Sequence, residues 1–156
     1  MNQLIAYFSA TGTTAEIAKK LSKAINADTY EIKPINKYTS EDLDWRNPQS
    51  RSSVEMKNLS FRPEMIQDIP AMEKFDTIYI GFPIWWYIAP SIINTFLESF
   101  DSKGKNIVLF ATSGSSGFGK TIDHLKNSCP EAALKEGFLV TANMKGTDIN
   151  RIMETL

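Results

Sequence analysis

The sequence is poor in the side chains that most often carry out catalysis or bind metals. Its 156 residues include one cysteine, Cys129, and one histidine, His124. A single cysteine excludes an internal disulfide and any multi-cysteine zinc or iron–sulfur site. We expect Cys129 to be a packing residue and His124 to lie at the surface or boundary of a helix. We therefore predict no metal site and no catalytic side chain, so that a bound cofactor supplies any chemistry.

The chain also lacks an excess of charge and a long apolar run. Its formal net charge is −1, which argues against binding to nucleic acid or to an acidic membrane surface. No apolar run approaches the length that spans a bilayer. The first residues show neither a basic segment nor a cleavage signature, so we expect a cytoplasmic protein.

Apolar runs alternate with helical patterns along the chain. This alternation predicts an α/β fold, a doubly wound sheet with right-handed crossovers, in one domain over residues 1–156. Three of the runs are almost continuously apolar, which is typical of parallel strands covered by helices on both faces. The predicted strands are 3–8, 28–33, 77–82, 106–111 and 137–140. The predicted helices are 13–26, 90–100, 118–128 and 146–155.

Residues 34–75 do not fit a plain crossover between the second and third strands, and we name them the insertion. Four prolines interrupt this stretch, but its many large apolar residues argue against a disordered linker. We predict short helices near 50–58 and 63–68. Arg51, Glu55 and Arg62 of the insertion either form surface ion pairs or reach a ligand.

The turn after the first strand, residues 9–14, is rich in hydroxyl groups. Ser9-Ala10-Thr11-Gly12-Thr13-Thr14 stands between a strand and a helix, so its backbone amides and the helix dipole favour an anion. No Lys or Arg lies in the turn, which suits a phosphate held by neutral donors. The alternative is simple helix capping, since Thr13 and Glu16 fit a capping box.

Two further unusual loops follow predicted strands. Residues 83–88 contain Trp85, Trp86 and Tyr87, and an aromatic side chain there can stack on a flat ring or merely pack against the protein. Residues 112–119 combine glycines with hydroxyl groups. Gly114 to Thr121 also match the Walker A pattern, so a P-loop NTPase remains an alternative. The chain after Thr121 is short for that fold.

All three loops follow strand ends, and in a parallel sheet those ends lie on one edge. One loop suits a phosphate, the second a flat ring and the third a polar ring edge. A phosphorylated aromatic cofactor would use all three.

The three loops together resemble those of the flavodoxin family. Residues 9–14 match its phosphate-loop pattern S/T-x-T-G-x-T, and Gly81-x-Pro83-Ile84-Trp85-Trp86 resembles the flavin loop of a branch with paired tryptophans. The resemblance implies a five-stranded sheet of order 2-1-3-4-5, helices on both faces, and bound FMN. It places the phosphate on Ser9, Ala10, Thr11, Gly12, Thr13 and Thr14, one side of the ring on Pro83, Ile84, Trp85 and Trp86, and the other edge on Thr112, Ser113, Gly114, Gly117 and Gly119.

The resemblance implies a low-potential electron carrier that serves redox partner proteins. Three departures from the family pattern stand beside it: the charge is nearly neutral, the loop after the third strand has no glycine beyond Gly81, and the insertion is long. The first two favour the alternative, an FMN-dependent oxidoreductase that takes hydride from NAD(P)H and reduces a quinone-like acceptor.

Overall fold

The computed structural model of the protein describes residues 2–156, and it confirms the doubly wound α/β fold. Five parallel strands form one sheet in the order β2-β1-β3-β4-β5. The strands are β1 Gln3–Tyr7, β2 Asp28–Glu31, β3 Thr77–Pro83, β4 Asn106–Ser113 and β5 Ala133–Thr141. The helices are α1 Thr13–Ile25, α2 Arg51–Lys57, α3 Ser91–Leu97, α4 Thr121–Leu125 and α5 Gly146–Glu154.

Side chains that alternate along the strands divide the core into two layers. Leu4 and Ala6 of β1 pack in the layer that contains α3 and α4, whereas Ile5 between them packs in the layer of α1 and α5. This alternation follows from the two-residue period of an extended strand. Because both layers are apolar, the three central strands β1, β3 and β4 are buried on both sides, as their continuous apolar runs predict, whereas the edge strands β2 and β5 are largely exposed.

The last strand begins earlier than its apolar residues indicate. β5 starts at Ala133, and a bulge opposite Leu109 and Phe110 interrupts its pairing with β4. A Cβ atom at Gly137 would lie 2.7 Å from the Leu109 carbonyl oxygen, so the bulge requires a residue without a side chain. The residues before the bulge are largely exposed and lack an apolar pattern, which explains the late prediction.

The predicted helix at 63–68 is wrong, whereas the one near 50–58 is confirmed as α2. Residues 64–66 instead lie alongside residues 33–35 through an antiparallel bridge between Pro34 and Met65. The Ile35 amide donates to the Glu64 carbonyl, and the Ile66 amide donates to the Lys33 carbonyl. This pairing gives these backbone amides and carbonyls the hydrogen bonds that they would otherwise form within a helix. It also buries Met65 in the core.

The remaining helices begin or end within a few residues of their predicted bounds. A 3₁₀ turn at Lys126–Ser128 continues α4, and another at Met72–Lys74 precedes β3. Cys129 is buried and His124 is half-buried, as predicted. Within residues 2–156, no helix is both long enough and apolar enough to cross a membrane.

The close approach of Gly81 to Phe110 yields a stability prediction. A Cβ atom at residue 81 would lie 2.2 Å from the Phe110 ring, and both residues are buried. We expect Gly81→Ala to lower the free energy of unfolding by about 1–3 kcal/mol through overpacking, as measured by urea denaturation. Gly146→Ala is the matched control, since a Cβ atom there meets nothing within 4 Å and the change should be neutral or slightly stabilising. Equal effects of the two substitutions would contradict this account.

Candidate functional site

A cavity of about 940 Å³ opens at the edge of the sheet where the strands end. It lies among the loops after β1, β3, β4 and β5 and is also lined by the insertion. The predicted residues that line it are Ala10, Thr11, Thr13, Pro83, Ile84, Trp85, Trp86, Thr112, Ser113 and Gly114. Ser9, Gly12, Thr14, Gly117 and Gly119 do not line it. The parallel sheet therefore brings together parts of all three predicted loops.

The loop after β1 leaves several backbone amides free. Gly12 precedes α1 with φ +97°, a left-handed conformation that favours glycine. The predicted Thr13–Glu16 capping box does not form, because Thr13 is already inside the helix and Ser9 Oγ accepts from the Gly12 and Ala15 amides, each at 3.1 Å. Among the described residues, the amides of Thr11, Thr13 and Thr14 donate to no protein acceptor. They form an uncharged donor set at a helix N-terminus, which suits an anion.

A buried hydrogen bond joins the first turn of α1 to the end of β4. The hydroxyl groups of Thr14 and Thr112 lie 2.8 Å apart, and both residues are buried. The Thr14 side chain therefore connects α1 to β4 and is not part of the cavity lining. Beyond this bond, the Ser113 hydroxyl donates to the Ser116 carbonyl at 2.5 Å and closes the loop after β4 into a tight turn.

Residues 85–88 form a two-residue turn in an unfavourable conformation. The Trp85 and Ile88 backbones exchange hydrogen bonds of 2.9 and 3.1 Å, while Trp86 and Tyr87 between them have φ of 50° and 67°. Positive φ at both central positions is the pattern of a type I′ turn, which favours Asn and Gly. Bulky aromatic residues in this region are strained by about 1–2 kcal/mol each.

Gly119 supports this turn from the neighbouring loop. A Cβ atom at residue 119, which has φ +56°, would lie 2.2 Å from the Tyr87 carbonyl oxygen. Gly119 thus packs against the Tyr87 backbone and does not line the cavity. Gly117 is exposed and meets nothing within 4 Å of a Cβ position.

The residues of the Walker A match do not form a phosphate site facing the cavity. Thr121 is fully buried, and its hydroxyl donates to the Phe118 carbonyl at 2.5 Å. Lys120 is exposed and, like Thr121, does not line the cavity. The helix that follows, α4, has only five residues. This geometry argues against the P-loop NTPase alternative, in which the Lys and the hydroxyl group would both face the nucleotide.

Trp85 is fixed from behind by aromatic packing. Its ring meets those of Phe8 and Tyr38 edge-to-face, with centroids 5.6 and 5.2 Å apart. Edge-to-face contacts of this kind are favourable beyond the area that they bury. They hold one tryptophan of the pair as a wall of the cavity, whereas Trp86 is exposed to solvent.

The insertion supports Trp85 through a partly buried polar cluster. The Arg51 guanidinium lies 3.8 Å from the centre of the Tyr38 ring, and Arg51 Nε donates to Glu55 at 3.1 Å. The Tyr38 hydroxyl donates to the same carboxylate. Burial and this hydrogen bond raise the pKa of Tyr38 well above its usual range, so Tyr38 remains a donor at neutral pH. Arg51, Glu55 and Arg62 thus form ion pairs within the chain, and Arg62 pairs with Glu98 at 2.9 Å.

Sequence reasoning missed part of the cavity wall. The missed lining residues are Leu43, Trp45 and Ser52 of the insertion, and Val140, Thr141 and Ala142 at the end of β5. Tyr87, Ser115 and Ser116 also line the cavity; they lie in two of the predicted loops but are not assigned to the ring. The residues after β5 follow from the topology, because that strand ends at the same edge as the others. Nothing in the sequence of the insertion marks its three residues.

None of the described residues that line the cavity is charged. Its lining includes hydroxyl groups, backbone and aromatic rings, and no Lys, Arg, Asp or Glu among the described residues. An anion that binds here is therefore held by amide dipoles and hydroxyl groups, and a flat apolar ring has aromatic and aliphatic surface to pack against.

Comparisons with known proteins agree with this geometry. The sequence model of a protein family described as Flavodoxin matches residues 2–156. A candidate flavoprotein of Bacteroides uniformis ATCC 8492 has a crystal structure with a TM-score of 0.88 and 46% identity, covering 97% of each chain. Another candidate flavoprotein, from Bacteroides eggerthii DSM 20697, gives a TM-score of 0.86 and 44% identity, covering 99% of this chain and 96% of its own.

A more distant structure shares the fold. A flavoprotein of Lactobacillus acidophilus NCFM, crystallised in complex with FMN, is 19% identical, with a TM-score of 0.72 over 96% of this chain and 97% of its own. No curated protein matches the chain in sequence.

The strained turn at Trp86 and Tyr87 yields a second stability prediction. Tyr87 is 70% exposed, so Tyr87→Gly removes little packing and relieves its left-handed strain. We expect the free energy of unfolding to rise by about 1 kcal/mol in urea denaturation. The matched control is Ser115→Gly, an exposed loop position without positive φ, which should lose about 0.4–1 kcal/mol. A similar loss in both variants would show that the turn at Tyr87 is not strained.

Proposed function

Since this chain belongs to the flavodoxin family, we propose that it binds FMN and carries electrons at low potential between redox partner proteins. The observation that carries the proposal is the meeting of three uncharged loops around one cavity. The chain supplies binding and orientation, and bound FMN supplies the electron transfer.

The residues that line the cavity are suited to both the phosphate and the ring of FMN. The free amides of Thr11, Thr13 and Thr14 at the start of α1 suit a phosphate, and Gly12 gives the loop the conformation that exposes them. Pro83, Ile84 and Trp85 offer apolar surface for a flat ring. The loop after β4 offers hydroxyl and backbone groups for a polar ring edge. A volume of about 940 Å³ lies within the range of known ligand sites.

The uncharged wall also supports a low reduction potential. Reduction adds negative charge to a flavin, and burying that charge without a nearby cation is unfavourable. None of the described residues that line the cavity is Lys or Arg. A wall of aromatic and aliphatic groups therefore favours the oxidised form.

A second candidate function is an FMN-dependent oxidoreductase that takes hydride from NAD(P)H and reduces a quinone-like acceptor. Two observations favour it: the net charge of −1 offers little electrostatic steering toward a protein partner, and the turn at Trp86 and Tyr87 places large aromatic rings where many flavodoxins have glycine. Both rings are exposed beside the cavity, where a planar substrate could meet them.

FMN binding is testable by its dependence on salt. Isothermal titration calorimetry with FMN should show binding whose Kd changes by less than about 3-fold between low and high NaCl, because neutral donors hold the phosphate. Salt screens the attraction between charged groups, and no Lys or Arg lies in the loop after β1 to form an ion pair with the phosphate. A steep salt dependence would contradict the assignment of the phosphate to the loop after β1. Failure to take up FMN would overturn the proposal as a whole.

The carrier and the oxidoreductase differ in their reaction with nicotinamide cofactors. We expect the FMN-loaded protein to be bleached by NADH or NADPH under anaerobic conditions far more slowly than the roughly 1–1,000 per second of typical enzymes. A reducing protein partner or dithionite should reduce it readily and serves as the positive control. Rapid bleaching by either nicotinamide, followed by reoxidation with a benzoquinone, would favour the oxidoreductase.

A further inference from the structure

One residue that lines the cavity has a buried hydroxyl group without a hydrogen-bond partner among the described residues. Ser52 of α2 lines the cavity and is 1% exposed, and its Oγ forms no hydrogen bond among the described residues. Its backbone amide donates to the Asp42 carbonyl at 2.9 Å, which fixes the residue in place. An unpaired buried hydroxyl destabilises a protein. A hydroxyl of this kind beside a cavity therefore suggests a bound ligand that forms the missing hydrogen bond.

The neighbours of Ser52 on α2 are all paired within the chain. Ser53 Oγ lies 2.9 Å from Ser50 Oγ, and the Ser50 side chain also accepts from the Ser53 amide. Arg51 binds Glu55 and donates to the Asn36 carbonyl at 2.7 Å. Ser52 is therefore the residue of this helix that is both on the cavity and unpaired.

We propose that the Ser52 hydroxyl is a further flavin-binding group, which hydrogen-bonds an uncharged polar atom of FMN on its ring or ribityl chain. This inference rests on the proposed function. The insertion then takes part in recognition of the cofactor, in addition to the three loops that the family pattern identifies.

The surroundings of Ser52 exclude the phosphate as its partner. The nearest cation on the helix, Arg51, is held by Glu55 and lies within 4.0 Å of Asp42, so two carboxylates accompany it. A single hydroxyl in such surroundings is a poor site for a dianion. The amides that suit a phosphate lie in the loop after β1.

Packing couples Ser52 to the aromatic wall. The same helix that carries Ser52 places Arg51 over Tyr38, and Tyr38 contacts the ring of Trp85. Tyr38 also donates to Glu55, one helical turn after Arg51. The helix α2 thus carries both the proposed flavin-binding hydroxyl and the residues that support Trp85.

The test is Ser52→Ala, measured with FMN and with riboflavin by fluorescence titration. Riboflavin shares the ring and ribityl chain of FMN but lacks the phosphate. We expect both affinities to fall by the same factor, about 3- to 10-fold. We also expect the thermal midpoint of the ligand-free variant to rise, because the substitution removes an unpaired buried hydroxyl. A structural hydroxyl would produce the opposite shift in the midpoint.

Ser53→Ala is the matched control, since Ser53 is buried on the same helix but is paired with Ser50 and does not line the cavity. It should leave both affinities unchanged. Unchanged affinities in Ser52→Ala, a loss confined to FMN, or a lower midpoint of the ligand-free variant would each overturn the inference. If the wild-type protein binds neither FMN nor riboflavin, the proposed function itself fails; if it binds them and Ser52→Ala binds equally well, only the role of Ser52 fails.

Discussion

A parallel sheet that is buried on both faces confines its polar loops to its two ends. Leu4, Ile5 and Ala6 are each almost fully buried although they point to alternate faces, so no side chain in the middle of β1 is free for a ligand. Polar recognition is therefore concentrated where the strands end, and there the backbone provides donors that the sheet does not use. The cavity is a consequence of this constraint on the sheet.

Charged side chains lie close to the uncharged cavity, but they are paired within the insertion. Arg51 and Glu55 lie close behind the wall but bind one another, Tyr38 and nearby backbone. Their charges thus stabilise the insertion and are kept from the ligand. Pairing within a partly buried cluster also fixes orientation, because each polar group has few alternatives.

Most of the strands and helices could be predicted because their sequence signals lie within the element itself. Continuous apolar runs identify β1, β3 and β4, and Pro90 marks the start of α3. The exposed first half of β5 has no such pattern, since its pairing depends on β4 and on the bulge at Gly137. In the same way, residues 64–66 pair with residues 33–35 through contacts that no local period encodes.

The predicted loops meet at the cavity because each follows a strand, whereas Leu43, Trp45 and Ser52 arrive there through the path of the insertion. A serine on a short helix has no sequence signature of ligand binding. Its role becomes visible only when the structure shows which neighbouring hydroxyl groups are already paired. Tertiary packing, which a single sequence does not reveal, decides these positions.

The contact between Gly119 and the Tyr87 carbonyl makes the backbone conformations of two separate loops depend on each other. A side chain at position 119 is compatible only with a turn at 86–87 that has moved its backbone away. Among related chains, the two positions should therefore covary: a bulky residue at the first should accompany a different turn sequence at the second. The turn that carries the aromatic pair beside the cavity thus depends on a glycine that is not part of the cavity lining.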